Sequence, residues 1–131
     1  MTPEMLIKAA REARKMSYSP YSNFAVGAAL LCGSDKVYTG CNIENGAFSP
    51  TCCAERVAFF KAISEGERDF KAIAIVGGKA DGDEKFCPPC GVCRQVMSEF
   101  VSAADFKIYL VRDGAVVEYT MSEILPLAFE L

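Results

Sequence analysis

Apolar positions recur first at helical and then at strand spacing along this chain. Leu6, Ala9, Ala10, Ala13 and Met16 form one apolar stripe, the mark of an amphipathic helix. Thr2-Pro3-Glu4 opens it with a hydroxyl cap, a proline in the first turn and an acid at the positive dipole end. Tyr18-Ser19-Pro20-Tyr21-Ser22-Asn23 interrupts the pattern. Ala25 to Leu31 and Val37 to Ile43 then predict two strands joined at Gly33-Ser34-Asp35, an antiparallel hairpin. Ser49-Pro50-Thr51 predicts the capping of a second helix, from about Cys53 to Glu65 with a stop at Gly66. Lys71 to Val76 is almost continuously apolar, as a central buried strand should be. Gly77 to Lys85 predicts a loop, and Gly91 to Phe100 a helix after the extended Pro88-Pro89. Phe106 to Val111 and Ala115 to Tyr119 flank the turn pair Asp113-Gly114. Met121 to Leu125 predicts a short helix ahead of Pro126.

The resulting order, α-β-β-α-β-α-β-β-α, favours an α/β fold with a central mixed sheet covered by helices. The length of 131 residues suits one domain spanning 1–131. A 51% hydrophobic, 24% charged composition belongs to a globular protein with a real core. The net charge of -3 argues against a nucleic-acid partner, which needs a basic footprint. Met16 to Ser34 is uncharged but carries serines, Pro20 and Asn23; its apolar part, Ala25 to Cys32, is too short to span a bilayer. Glu4, Lys8, Arg11 and Glu12 replace the apolar segment of a secretory leader. The cytoplasm is the expected location.

Two short elements carry the chemistry. Cys53-Ala54-Glu55 and Pro89-Cys90-Gly91-Val92-Cys93 supply three thiols and a carboxylate. A catalytic zinc takes three protein ligands and leaves the fourth position to water. The chain has no histidine, so no Ser-His-Asp triad or Cys-His pair exists, and a zinc site must use Cys, Asp or Glu. Seven cysteines without a leader suit metal binding or burial better than disulfides. Both elements fall near predicted helix starts, where free N–H groups and the dipole favour thiolates. Glu55, two residues after Cys53, does not share its face of a helix and is free to handle protons. Three thiolates leave excess negative charge on a dication, and Arg56 is placed to offset it.

Other readings compete. Cys90-x-x-Cys93 alone also fits a redox pair or a structural zinc knuckle. Cys52 or Cys87 could supply a fourth thiolate and close the site, making a non-catalytic zinc module. Cys32 and Cys41 lie in apolar strands and suit the core. Arg94, like Arg56, is an ordinary surface arginine apart from its place beside a candidate ligand. Phe24 alone reads as core, and Asn42 with Glu44 reads as two polar residues on one face of a strand end.

The chain resembles a small cytidine deaminase of the homotetrameric, zinc-dependent type. The matching stretches are Tyr18-Ser19-Pro20-Tyr21-Ser22, Phe24 to Leu30, Gly40-Cys41-Asn42-Ile43-Glu44-Asn45, Cys53-Ala54-Glu55-Arg56, Pro89 to Gln95 and Leu125-Pro126-Leu127-Ala128-Phe129. The zinc deaminase pattern of three cysteines, a non-ligand glutamate and P-C-x-x-C is a known one. The resemblance implies a three-layer α/β/α fold with a five-stranded mixed sheet. It implies one Zn²⁺ per subunit on Cys53, Cys90 and Cys93, with Glu55 as proton shuttle. Phe24 would lie against the pyrimidine, Asn42 and Glu44 would hold the ribose, and Ala54 would complete the substrate contacts. Phe129 would close a neighbouring subunit's pocket. The implied reaction is hydrolytic deamination of cytidine and deoxycytidine in pyrimidine salvage. A nucleotide or polynucleotide substrate suits the acidic charge less well. The chain departs from its relatives at Phe48, often Tyr; at Cys87, which adds a second possible pair with Cys90; and in a longer interval between Cys53 and Cys90, assigned to 77–85.

Overall fold

The computed structural model describes residues 1–131. Helix α1 (Pro3–Arg14) leads into strands β1 (Phe24–Cys32) and β2 (Val37–Cys41). Helix α2 (Ala54–Ser64), strand β3 (Phe70–Lys79) and the two-residue strand β4 (Glu84–Lys85) follow. Helix α3 (Gly91–Phe100), the hairpin β5 (Lys107–Arg112) and β6 (Ala115–Thr120), and the short α4 (Met121–Ile124) complete the chain. The main sheet runs β2-β1-β3-β5-β6, with β4 added on β3. Only the β3–β5 pair is parallel, so the sheet is mixed.

Pleating divides β1 and β3 between two cores. Ala29, Ala72, Ala74 and Val76 face Leu6, Ile7 and Ala10 of α1. These sheet residues are small, so α1 lies close against the strands. The opposite face is larger: Leu30, Ile73, Ile75, Ile108 and Leu110 pack against Phe59, Met97, Phe106 and Met121. Helix α2 comes close to β2 at Gly40, where a Cβ would stand 2.4 Å from the Ala54 carbonyl oxygen. A side chain there would push away the start of α2, where the chemistry-bearing residues sit.

The expected three layers and five-stranded mixed sheet are present, with β4 as an addition. The interval 77–85 is not a plain loop. Strand β3 runs on to Lys79, and Gly77 and Gly78 pair with Lys85 and Glu84 of β4. Gly-rich sequence hid this strand, because backbone pairing needs no side chain. Helix α1 ends at Arg14, so Met16 lies outside it and is exposed, and Ile7 takes its place in the core. The Ser49-Pro50-Thr51 signal does not cap α2: Cys53 is the N-cap, and the Thr51 hydroxyl accepts from Asn45 N–H instead. Asp113 and Gly114 both take positive φ, as a tight hairpin of the primed type requires. No helix is long and apolar enough to cross a membrane.

Candidate active site

Two helix N-termini meet above the large core. Cys53 is the N-cap of α2 and Cys90 the N-cap of α3, both in extended backbone. The Cys90 sulfur accepts from Cys93 N–H at 3.5 Å, which satisfies one of the free donors of that helix end. The sulfurs of Cys53 and Cys90 lie 3.8 Å apart. With Cys93 they form a cluster whose ligand atoms all lie within 4.8 Å of one another. Cys52 and Cys87 stay outside that cluster, although both line the adjoining cavity.

The electrostatics of the cluster suit a dication. Cys53 is held well below the ordinary thiol range by its hydrogen bond with Cys93 and by Arg56. Cys93 moves the opposite way, because Cys53 holds the shared charge and burial adds to the cost. Two sulfurs this close do not both ionise unaided. Zinc, with its preference for thiolate ligands, removes that conflict, so the donor set fits the metal. Arg56 Nη2 donates to Cys53 Sγ at 3.3 Å, while Arg56 Nε is buried without a partner.

Glu55 occupies the first turn of α2 and is only 4% exposed. Burial pushes its carboxyl up to about 7, and the nearby Cys53 charge adds to this. Its own backbone N–H and the Cys93 thiol offset part of the rise. A buried carboxyl poised near neutral pH is suited to both accept and return a proton.

A cavity of about 310 Å³ opens beside the cluster. Phe24, Asn42, Glu44, Ala54 and Glu55 line it together with Cys53 and Cys90. Beyond β2 the chain continues through isolated bridges of Ile43 with Tyr18 and Cys52, which carries Asn42 and Glu44 to one wall. Asn42 also holds the fold. Its Oδ1 accepts from Val26 N–H at 2.9 Å and from Ser17 at 2.5 Å, and its Nδ2 donates to the Phe24 carbonyl at 2.8 Å. One Nδ2 hydrogen is left over. The Glu44 carboxylate accepts from the Ser22 hydroxyl and from the backbone N–H groups of Tyr21 and Ser22. These bonds, led by the Ser22 hydroxyl, hold it below the ordinary carboxylate range.

Phe129 does not line this cavity. It is 69% exposed, and its carbonyl accepts from Gln95 Nε2 at 3.1 Å. Arg94 donates to the Pro89 carbonyl and to the Ile124 carbonyl, each at 2.7 Å. It thus ties the cysteine loop to α4, and Gln95 ties α3 to the tail. Sequence reading treated Arg94 as a surface residue and assigned Gln95 no role; only their position beside Cys93 marked them.

Comparison with known proteins agrees with this geometry. Residues 1–109 match the cytidine and deoxycytidylate deaminase zinc-binding region. The chain is 52% identical over 130 residues to a cytidine deaminase of Halalkalibacterium halodurans, covering 98% of this chain and 95% of that protein. It is 48% identical over 130 residues to a cytidine deaminase of Sporosarcina psychrophila, covering 98% and 92%. The crystal structure of cytidine deaminase from Burkholderia pseudomallei superposes with a TM-score of 0.89 at 43% identity, covering 98% of this chain and 100% of that one. With three thiols gathered at two helix N-termini, a buried carboxyl beside them and this likeness along nearly its whole length, the chain belongs to the zinc-dependent cytidine deaminase family.

Proposed function

We propose that this protein hydrolyses cytidine and deoxycytidine to uridine and deoxyuridine with release of ammonia, a step of pyrimidine salvage, and that residues 1–131 act as one catalytic domain. The observation that carries the reading is the buried, non-clustered Glu55 beside three convergent thiols on the wall of a nucleoside-sized cavity. Cys53, Cys90 and Cys93 would hold one zinc ion per chain. When bound, zinc supplies the Lewis acidity that makes water a nucleophile near neutral pH. Glu55 accepts one proton from the attacking water and delivers it to N3 of the ring. It then carries the remaining proton of that water, from the new C4 hydroxyl, to the amino group as the C4–N bond breaks, so that ammonia leaves and the C4 carbonyl of uridine forms. Arg56 donates to the thiolate cluster and offsets its surplus charge. Phe24 packs on the pyrimidine, Ala54 forms the wall beside the ring, and Asn42 offers its spare N–H to the ribose. Glu44 accepts from a ribose hydroxyl, and its ionised state disfavours a phosphorylated sugar.

The tail supports a homotetramer with shared pockets. Leu127, Phe129 and Leu131 are all strongly exposed, an apolar group that a neighbouring subunit would cover. Phe129 would then close the partner's cavity. Cytoplasmic residence is the location that a nucleoside substrate and seven unpaired cysteines support.

The test is incubation with cytidine, following loss of the cytosine absorbance with and without a chelator. Turnover that stops with chelator and returns with zinc is expected. No turnover in the zinc-loaded protein, or turnover indifferent to metal removal, refutes the reading.

A further inference from the structure

One wall of the cavity depends on a residue that does not line it. Gly77 sits in β3, opposite Val26 on one side and Lys85 on the other. It is not among the glycines with positive φ, so its backbone is open to any residue. Glycine weakens a strand and there usually marks a close approach. Here the approach is visible. A Cβ on Gly77 would stand 2.6 Å from Cys87 Sγ, 3.1 Å from Cys87 Cβ and 3.1 Å from Phe24 Cε2. Phe24, Val26 and Cys87 all line the cavity, and Gly77, which does not, turns its open face to Cys87 and Phe24. The short β4 delivers Cys87 to this place, two residues after Lys85 pairs with Gly77. Lys85 Nζ stands 5.8 Å from the Phe24 ring centroid and adds a cation–π contact to the same ring.

We propose that Gly77 is a positioning residue for the base: its missing side chain seats the Cys87 thiol and the edge of Phe24 together as one wall, and so sets the width of the slot that receives the pyrimidine. The inference rests on the deaminase reading. Three predicted consequences separate it from a bland role in strand packing. A methyl group at position 77 must push Cys87 and Phe24 toward the cavity, because the sheet lies on its other sides. Substrate binding then suffers more than proton transfer, since Glu55 and the three clustered cysteines are untouched. Removing the Cys87 sulfur returns the lost space.

The experiment compares wild type, Gly77→Ala, Cys87→Ala and the double variant, all zinc-loaded, with steady-state kinetics on cytidine. Gly77→Ala should raise KM about tenfold or more with a smaller change in kcat, the cost of one misplaced methyl group in a fitted pocket. The double variant should return KM to within about threefold of Cys87→Ala alone, the non-additive coupling expected of two residues in contact. Cys87→Val presses on the same contact from the loop side and should raise KM in the same way; it decides the matter if Gly77→Ala does not fold. An active wild type with unchanged KM in Gly77→Ala or in Cys87→Val, or a double variant without recovery, overturns the inference alone. A wild type inactive on cytidine overturns the deaminase reading, and this inference with it.

Discussion

Replacing Glu55 by glutamine separates the proposed proton shuttle from every structural role of that position. The side chain is 4% exposed and sits in the first turn of α2. Glutamine has nearly the same shape, so it fits the same space and opens no cavity. It is also neutral, and a neutral group suits a site that already pushes the carboxyl up to about 7. Fold and metal content should therefore survive. What is lost is the group that accepts and returns the proton. General acid–base catalysis contributes about 10²–10⁴-fold, which at 1.36 kcal/mol per tenfold raises the barrier by about 3–5 kcal/mol. The loss should fall on kcat, with KM changed little, because Phe24, Asn42 and Glu44 still line the cavity. The pH profile gives a second check. The base form of Glu55 is the carboxylate, so activity should fall as pH drops through its pKa. A bound dication favours the carboxylate, so the acidic limb of kcat/KM should lie below about 7. The assay is steady-state deamination of cytidine by both proteins across pH, with zinc content measured on the same samples. A folded, zinc-loaded Glu55→Gln protein that turns over within tenfold of wild type (one power of ten, about 1.4 kcal/mol) refutes the shuttle.

Three further outcomes are expected. Serine at Cys53, Cys90 or Cys93 should abolish stoichiometric zinc by metal analysis, whereas serine at Cys52 or Cys87 should leave it bound, because only the first three sulfurs cluster; loss of metal in Cys87→Ser with retention in Cys93→Ser would reverse the ligand assignment. Arg11 holds Glu84 below the ordinary carboxylate range, so this pair stabilises the fold above the unfolded pKa of Glu, and the gain disappears as pH falls through the folded value. Arg11→Ala should cost under about 1 kcal/mol at pH 7, as for an exposed pair, and nothing well below the carboxylate range, by thermal melts; an equal cost at both pH values would mean that Arg11 acts through packing. Truncation after Pro126 removes Leu127, Phe129 and Leu131, and should raise KM, lower kcat and weaken the proposed tetramer in gel filtration with light scattering; unchanged kinetics would end the shared-pocket reading.

The hydrophobic pattern alone made most of the elements legible. The apolar runs of β1 and β3, the turn pair Asp113-Gly114 and the stop at Gly66 are local signals, and local chemistry is what a sequence shows directly. The same holds for the donor set: a chain without histidine but with Cys53-x-Glu55 and Cys90-x-x-Cys93 has few ways to build a metal site. Sequence did not reveal β4, whose existence rests on backbone bonds to Gly77 and Gly78 rather than on side-chain pattern. Nor did it reveal that Asn42 spends most of its amide on Ser17, Val26 and Phe24, because those partners lie sixteen or more residues away along the chain. By itself, then, the sequence determined which groups could ionise, ligate or cap. Only the tertiary structure decided which sulfurs converge, that Glu55 is desolvated, and that Gly77 leaves room for Cys87 and Phe24. Those outcomes depend on the packing of distant segments, and burial and distance belong to packing alone.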